Sequence, residues 1–386
     1  MVIAGSLVEM VESRRRSVAD RKAEKELANL CSLGDQKGVK LALGKNPDLA
    51  RGWQSIHAAA RHGQPKIVRE LLACGADPNV RGGVERNRPL HRAIKRPKSL
   101  KRTPGHHEVV RVLIEAGADL NARGAWYEAH ALATAAMSGE HEFVTELAPL
   151  YRKMDIFTAC VTARTRRVRN LLESDTGLAN ARDPGNDMPP LHYCAASSLG
   201  RDDPRTSDHL RMIATMLIDA GADIDATMHL AHEFHALSWA TMKKNRAAGD
   251  VICAAGAHPQ HGLTYAVGVQ DADLMARMKD SGADVDFVDE KGNSLLHTSI
   301  NFGTNDEITF LLEHGADPNF RNAEGRTSLH LAASKGASIR IVSALRDHGA
   351  NLDLKTAAGE TPLDLAVSRG RRKVADYLAD TGRDSG

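Results

Sequence analysis

The sequence predicts an all-α fold, a solenoid of stacked helix-turn-helix units with loop or hairpin fingers between them, and three observations predict it. The tripeptide Gly-Ala-Asp recurs at Gly75, Gly117, Gly221, Gly282 and Gly315, with variants at Gly256-Ala257-His258 and Gly349-Ala350-Asn351. Upstream of it an apolar residue followed by His recurs, at Ile56-His57, Leu90-His91, Leu191-His192, Leu296-His297 and Leu329-His330, with Leu363-Asp364 as a variant. The anchors keep a fixed distance: His57 to Gly75, His297 to Gly315 and Asp364 to Gly382 are each 18 residues apart. A fixed spacing inside a period of about 33 residues means one repeated structural unit.

Within the unit, Leu329 to Gly336 reads as a short first helix and Ile339 to His348 as a second, with Gly349 at the left-handed stop. Thr361 caps a helix whose first turn accepts Pro362. One such helix pair cannot bury its own apolar face, so the core closes only when neighbours stack.

These residues resemble the ankyrin repeat. Thr361-Pro362-Leu363 and Thr327-Ser328-Leu329-His330-Leu331-Ala332-Ala333 are similar to its first-helix signature, and Gly-Ala-Asp-Pro-Asn at 75–79 and 315–319 to its loop. The resemblance implies a protein-binding module or scaffold, with a partner held on a concave and finger surface. It also implies that the five His of the anchors are structural, bonding near the helix start and to the adjoining unit.

Aligned on the His slot, eleven units follow in order, anchored at Ala28, His57, His91, Ala133, Thr158, His192, Ser238, Thr264, His297, His330 and Asp364. Residues 1–19 form a lead-in and 20–386 a single solenoid. Successive slots lie 29, 34, 42, 25, 34, 46, 26, 33, 33 and 34 residues apart, a short, normal, long pattern that occurs twice and then restarts. Three-unit blocks explain it: Glu128-Ala129-His130-Ala131-Leu132 recurs 105 residues on as Glu233-Phe234-His235-Ala236-Leu237. The long spacings predict extra loops at 96–105 and 198–208, and the short ones, after units four and seven, leave no room for a finger.

The composition agrees with a soluble, folding chain: 386 residues, 42% hydrophobic, 26% charged, net charge +2. Aromatics are only 4%, so the core is built from small and aliphatic side chains. No apolar run is long enough to span a bilayer, the first residues lack the order of a secretory signal, and the expected location is the cytoplasm. Cys31, Cys74, Cys160, Cys194 and Cys253 are scattered and form no Cys-x-x-Cys pair, which argues against disulfides and thiolate zinc sites. The common phosphate-loop, serine-hydrolase and zinc-protease signatures are absent, so no catalytic residue is assigned and no cofactor is expected.

Three features depart from a plain repeat. Between Arg81 and Arg111 ten basic residues face two acidic ones, and Arg81, Arg86, Arg88, Arg96, Lys98, Lys101 and Arg102 are candidates to meet an acidic protein partner. Phosphate or nucleic acid is a weaker alternative there, since no aromatics interleave with the charges. Trp126, Tyr127, Phe287 and Phe320 sit in fingers and read as interface anchors. His229, His232, His235, His258 and His261, with Glu233, gather in the loops of units seven and eight; they are the candidates for the alternative reading, a zinc- or iron-binding protein or enzyme. In the family pattern His258 occupies the Asp slot of Gly-Ala-Asp, and His235 and His261 occupy the Thr cap slot.

Overall fold

The structure, a computed structural model, describes residues 18–83, 86–95, 103–124, 128–228 and 234–381. Its α-helices come in pairs, one pair to each predicted repeat, and every slot residue falls in the first helix of its pair. They are α1 (Val18–Leu33) and α2 (Gln36–Lys45), α3 (Trp53–Arg61) and α4 (Pro65–Ala73), α5 (Pro89–Ile94) and α6 (Pro104–Glu115), α7 (Ala131–Met137) and α8 (His141–Leu147), α9 (Ile156–Val161) and α10 (Thr165–Ser174), α11 (Pro190–Ala196) and α12 (Pro204–Asp219). There follow α13 (Ala236–Lys243) and α14 (Arg246–Ala254), α15 (Pro259–Val269) and α16 (Ala272–Asp280), α17 (Leu295–Phe302) and α18 (Asn305–Glu313), α19 (Ser328–Lys335) and α20 (Ile339–Asp347), α21 (Pro362–Ser368) and α22 (Arg372–Thr381). Among the described residues there is no strand, only isolated bridges such as Gly82 with Asn87 and Gly124 with Ala129, which close fingers into narrow loops. The chain falls into two compact bodies, residues 1–223 with 227–233, and 224–226 with 234–386.

Repeat ten shows how so few residues hold a helix. Eight residues are too few for an isolated helix in water, and α19 is held by its ends and its neighbours. The Thr327 hydroxyl caps the start while the Thr327 N–H donates to His330 Nδ1 at 3.1 Å, so the imidazole plays the part a Glu plays in a capping box. The other ring nitrogen, carrying the hydrogen, donates to Glu360 O at 3.2 Å in the next finger. One neutral His therefore ties a helix start to the following repeat. His57, His91 and His297 do the same toward Val80 O, Ala129 O and Arg326 O, at 3.0, 2.9 and 2.9 Å. At the far end Gly336 takes a left-handed conformation, φ 71°, that a side chain would strain. Ile341, Val342 and Leu345 of α20 then turn inward, and all three are buried.

The two long spacings do not both become presented loops. Residues 96–102 lie outside the described residues, and α6 and α12 begin at Pro104 and Pro204, so part of each insertion lengthens the second helix, to 12 and 16 residues. The start of the second insertion is buried, while Arg201 and Asp202 beyond it are exposed. Ser197 Oγ donates to Val161 O at 2.8 Å, Ser198 Oγ to Met137 O at 2.8 Å and Ser198 N to Ala136 O at 3.0 Å, while Leu199 is 2% exposed. The physical reason is at the ends of α7 and α9, whose last carbonyls have no partner within their own helices. The inserted segment satisfies three of them. Replacing Ser198 with Ala is expected to cost about 1–2 kcal/mol, because a buried carbonyl loses a donor; a urea midpoint unchanged from the parent chain would show that the segment merely lies there.

Candidate interaction surfaces

In the first body the basic fingers are largely occupied with one another. Arg81 Nη2 pairs with Glu128 Oε2 at 2.7 Å and donates to Arg123 O at 2.9 Å; Arg88 Nε donates to the same carbonyl at 3.1 Å, and its Nη1 to Asn79 O. Arg86 is exposed, in a left-handed conformation at φ 49°. Arg96, Lys98, Lys101, Arg102, Trp126 and Tyr127 lie outside the described residues. Two of the expected arginines thus brace the finger of repeat four, which leaves less free positive charge than the composition of this stretch suggests.

That brace continues across the place where repeat five has no finger. Arg123 reaches Asp183 at 2.8 Å and also donates to Glu128 O at 2.9 Å. Asp183 is 3% exposed and accepts from the Tyr193 hydroxyl at 2.9 Å and from Gly185 N at 2.7 Å; Asn186 Nδ2 donates to the Tyr193 oxygen. Tyr151 fills the vacated space, its hydroxyl donating to Leu120 O and its ring lying against His130 at 5.2 Å. Burial pushes that phenol well above its ordinary range, so it stays a neutral donor. The short spacing announces the missing finger, but nothing local marks Arg123 and Asp183 as partners sixty residues apart.

The second body presents apolar side chains to water. Phe287 is 56% exposed, whereas Phe320 is half-buried with its ring edge-on to His297 at 6.2 Å. The largest exposure falls on a residue that sequence reasoning missed: Phe302, the last residue of α17, is 88% exposed. The Lys335 ammonium lies 5.5 Å from its ring centroid and is held by Asn301 O at 3.0 Å. Its signal was available in the register. Five residues beyond the slot the second body reads Lys243, Val269, Phe302, Lys335 and Arg369, a row of cations around an aromatic.

The histidine cluster does assemble, around Asp225. His235 Nδ1–H donates to Asp225 O at 3.2 Å, His261 Nδ1 pairs with Asp225 Oδ1 at 3.2 Å, and His258 N bonds the same carboxylate. The rings of His235 and His261 stack at 3.6 Å between centroids, and His258 stands 5.1 Å from His261. Burial and the neighbouring His235 ring hold the His261 pKa below its ordinary value, against the pull of Asp225. His235 starts α13 as expected, but His258 rather than His261 caps α15, accepting from Gln260 N at 3.3 Å, because Pro259 presets the first helical residue three positions early. His229, His232 and Glu233 lie outside the described residues. Among the described residues no three His, Cys, Asp or Glu side chains are arranged to hold a metal ion.

Paired short helices stacked through slot histidines, with fingers between pairs, define an α-helical repeat protein. The chain belongs to the ankyrin repeat family: the family model for ankyrin repeats, three copies, matches residues 27–124, 263–356 and 308–385. Over 84 residues it is 37% identical to human 2-5A-dependent ribonuclease, covering 22% of this chain and 11% of that protein. Over 305 residues it is 23% identical to the E3 ubiquitin-protein ligase KEG of Arabidopsis thaliana, covering 78% of this chain and 14% of that one. The chain therefore spans only a small part of these relatives. Among solved structures it is similar to the ankyrin repeat domain of Bcl-3, a member of the IkappaB family, at 23% identity and a TM-score of 0.45, covering 59% of this chain and 99% of that one. The human ASB11 ankyrin repeat domain is similar at 20% identity and the same TM-score, covering 58% and 98%. Ankyrin repeats are protein–protein interaction modules, and no described helix is long and apolar enough to cross a membrane.

Proposed function

We propose that the chain acts as a binding module or scaffold, holding another protein on the surface that carries Phe302, with the finger residue Phe287 as a further contact. The observation that carries this reading is the 88% exposure of Phe302 beside a fixed cation. A large aromatic left in water at the end of a short helix gives up the transfer free energy its burial would supply, roughly 2 kcal/mol, and a partner recovers it. The flanking Lys335, with Lys243 and Arg369 in the same register, favours a partner segment in which an apolar side chain is flanked by carboxylates. Little ordering is needed on binding, because neighbouring repeats already hold these residues.

The test is a two-part measurement on Phe302→Ala. Its unfolding midpoint should stay within experimental error of the parent, since an exposed ring contributes little to the core. Its affinity for partners captured from the source organism should fall by roughly thirtyfold or more, the effect of truncating an interface anchor. Unchanged affinity would remove Phe302 from the interface and, with it, the assignment of this surface.

A further inference from the structure

We propose, resting on the reading of Phe302 as an anchor, that the protein held on its surface is a second copy of this chain, docked through the finger at residues 284–290. A segment suited to that surface carries an apolar side chain among carboxylates, and this chain holds one. Phe287 is 56% exposed. Asp284, Asp286, Asp289 and Glu290 flank it in sequence, with Lys291 as the one cation between them and α17. Asp284, Asp289 and Glu290 are exposed and Asp286 is half-buried; among the described residues none of the four forms an ion pair. The finger is already shaped for binding: Asp286 accepts from Asp317 N at 3.0 Å, and Asp289 from Lys291 N and Asn293 N at 2.9 and 2.8 Å. Burial raises the Asp286 pKa, and the Asp317 and Asp284 charges add to that rise against the bond from Asp317 N, so negative charge is crowded here.

The receiving surface has the opposite charge. The Lys335 ammonium donates to Asn301 O at 3.0 Å and stands 5.5 Å from the Phe302 ring centroid. Neither Lys335 nor Arg369, in the same register, forms an ion pair among the described residues. The turns at 335–340 and 369–373 hold six cations and no carboxylate. Of the two acids that open α18 beyond Phe302, Glu307 is turned to the Thr304 N–H at 3.1 Å, which leaves Asp306. Phe287 precedes the start of α17 and Phe302 ends it, and both rings are exposed, so neither covers the other within one chain. Between two chains the rings can meet edge-on or offset while the finger carboxylates reach Lys335 and Arg369. Finger and receiving surface are different patches, so a two-fold pair makes the same contact twice.

The experiment is sedimentation of the full chain at neutral pH from about 5 to about 500 μM, the span in which contacts built on a few anchors associate. The parent should move from the mass of one chain toward that of two. Sodium chloride at about 1 M should weaken the association several-fold, because it screens charges beyond about 3 Å. Phe287→Ala and Phe302→Ala should each weaken it about tenfold or more, with unfolding midpoints unchanged because both rings are exposed. A mixture of the two variants is the deciding sample. It still offers an intact finger on one copy and an intact Phe302 on the other, so it should pair one to one more tightly than either variant alone. A mixture no tighter than its components overturns the proposal, and so does a Phe287→Ala chain that pairs as the parent does. A parent that stays single at every concentration overturns it too; if Phe302→Ala then still loses the captured partner, the binding reading stands and that partner is a different protein. A Phe302→Ala chain that keeps its captured partner removes the binding reading itself.

Discussion

Replacing Asp183 with Ala is expected to destabilise the first body by roughly 3–5 kcal/mol, the cost of removing one partner from a buried ion pair. The lower end of that range applies, because Arg123 keeps 28% of its side chain in water while Asp183 keeps 3%. Loss of the carboxylate leaves the Arg123 guanidinium, the Tyr193 hydroxyl and Gly185 N without their acceptor at once. A single deletion thus removes three bonds, one of them charged. The measurement is urea unfolding of Asp183→Ala, Arg123→Ala and the double variant. A coupling free energy below about 0.5 kcal/mol in that cycle would mean that the two side chains act independently and the span across the missing finger holds nothing. Gly185→Ala is an internal check, since its Cβ would sit 2.4 Å from Arg123 Nη1 and must displace the guanidinium without touching Asp183 itself.

What makes Asp183 consequential is also what hid it. The slot register is a property of every repeat, so eleven helix pairs, the Thr361 cap and the Gly349 stop were legible from residue type and spacing alone. A short spacing says that a finger is missing but not what replaces it. Tyr151 and the Arg123–Asp183 span are answers given by packing between residues far apart in the chain. The second insertion misled in the opposite sense. Its Ser, Leu and Gly read as a surface loop, yet Ser197, Ser198 and Leu199 are drawn under by the terminal carbonyls of α7 and α9. Phe302 was overlooked because an aromatic within a repeat helix reads as core, and only its place five residues past the slot marks it as outward.

The slot histidines give the second large effect, a loss of stability in mild acid. Burial holds His57 and His91 down to a pKa of about 4, outweighing the backbone hydrogen bonds to Val80 and Ala129 that favour the charged ring. The structure shows why protonation is refused: Nε2 already donates to those carbonyls, and the buried Nδ1 of each ring has no partner to receive a second N–H. In repeats nine and ten a hydroxyl meets Nδ1 instead, from Ser294 and Thr327. The corresponding positions in repeats two and three are Gln54 and Arg88, so the lone pair is left bare. In the unfolded chain both rings titrate near 6.5. Their folded pKa is depressed, so between about 6.5 and 4 the unfolded state binds more protons than the folded one. The stabilisation is fully present above that window and falls away as the pH drops through it. From pH 7.5 to 5 the two rings together should remove about 4 kcal/mol, enough to unfold a marginally stable body while most carboxylates are still ionised. Urea titrations of the first body at half-unit steps across this range test it, with His91→Gln expected to lose roughly half of the slope. A stability that stays level down to pH 5 would mean that these rings accept a proton in place, and that the bare Nδ1 atoms find an acceptor the folded backbone does not offer.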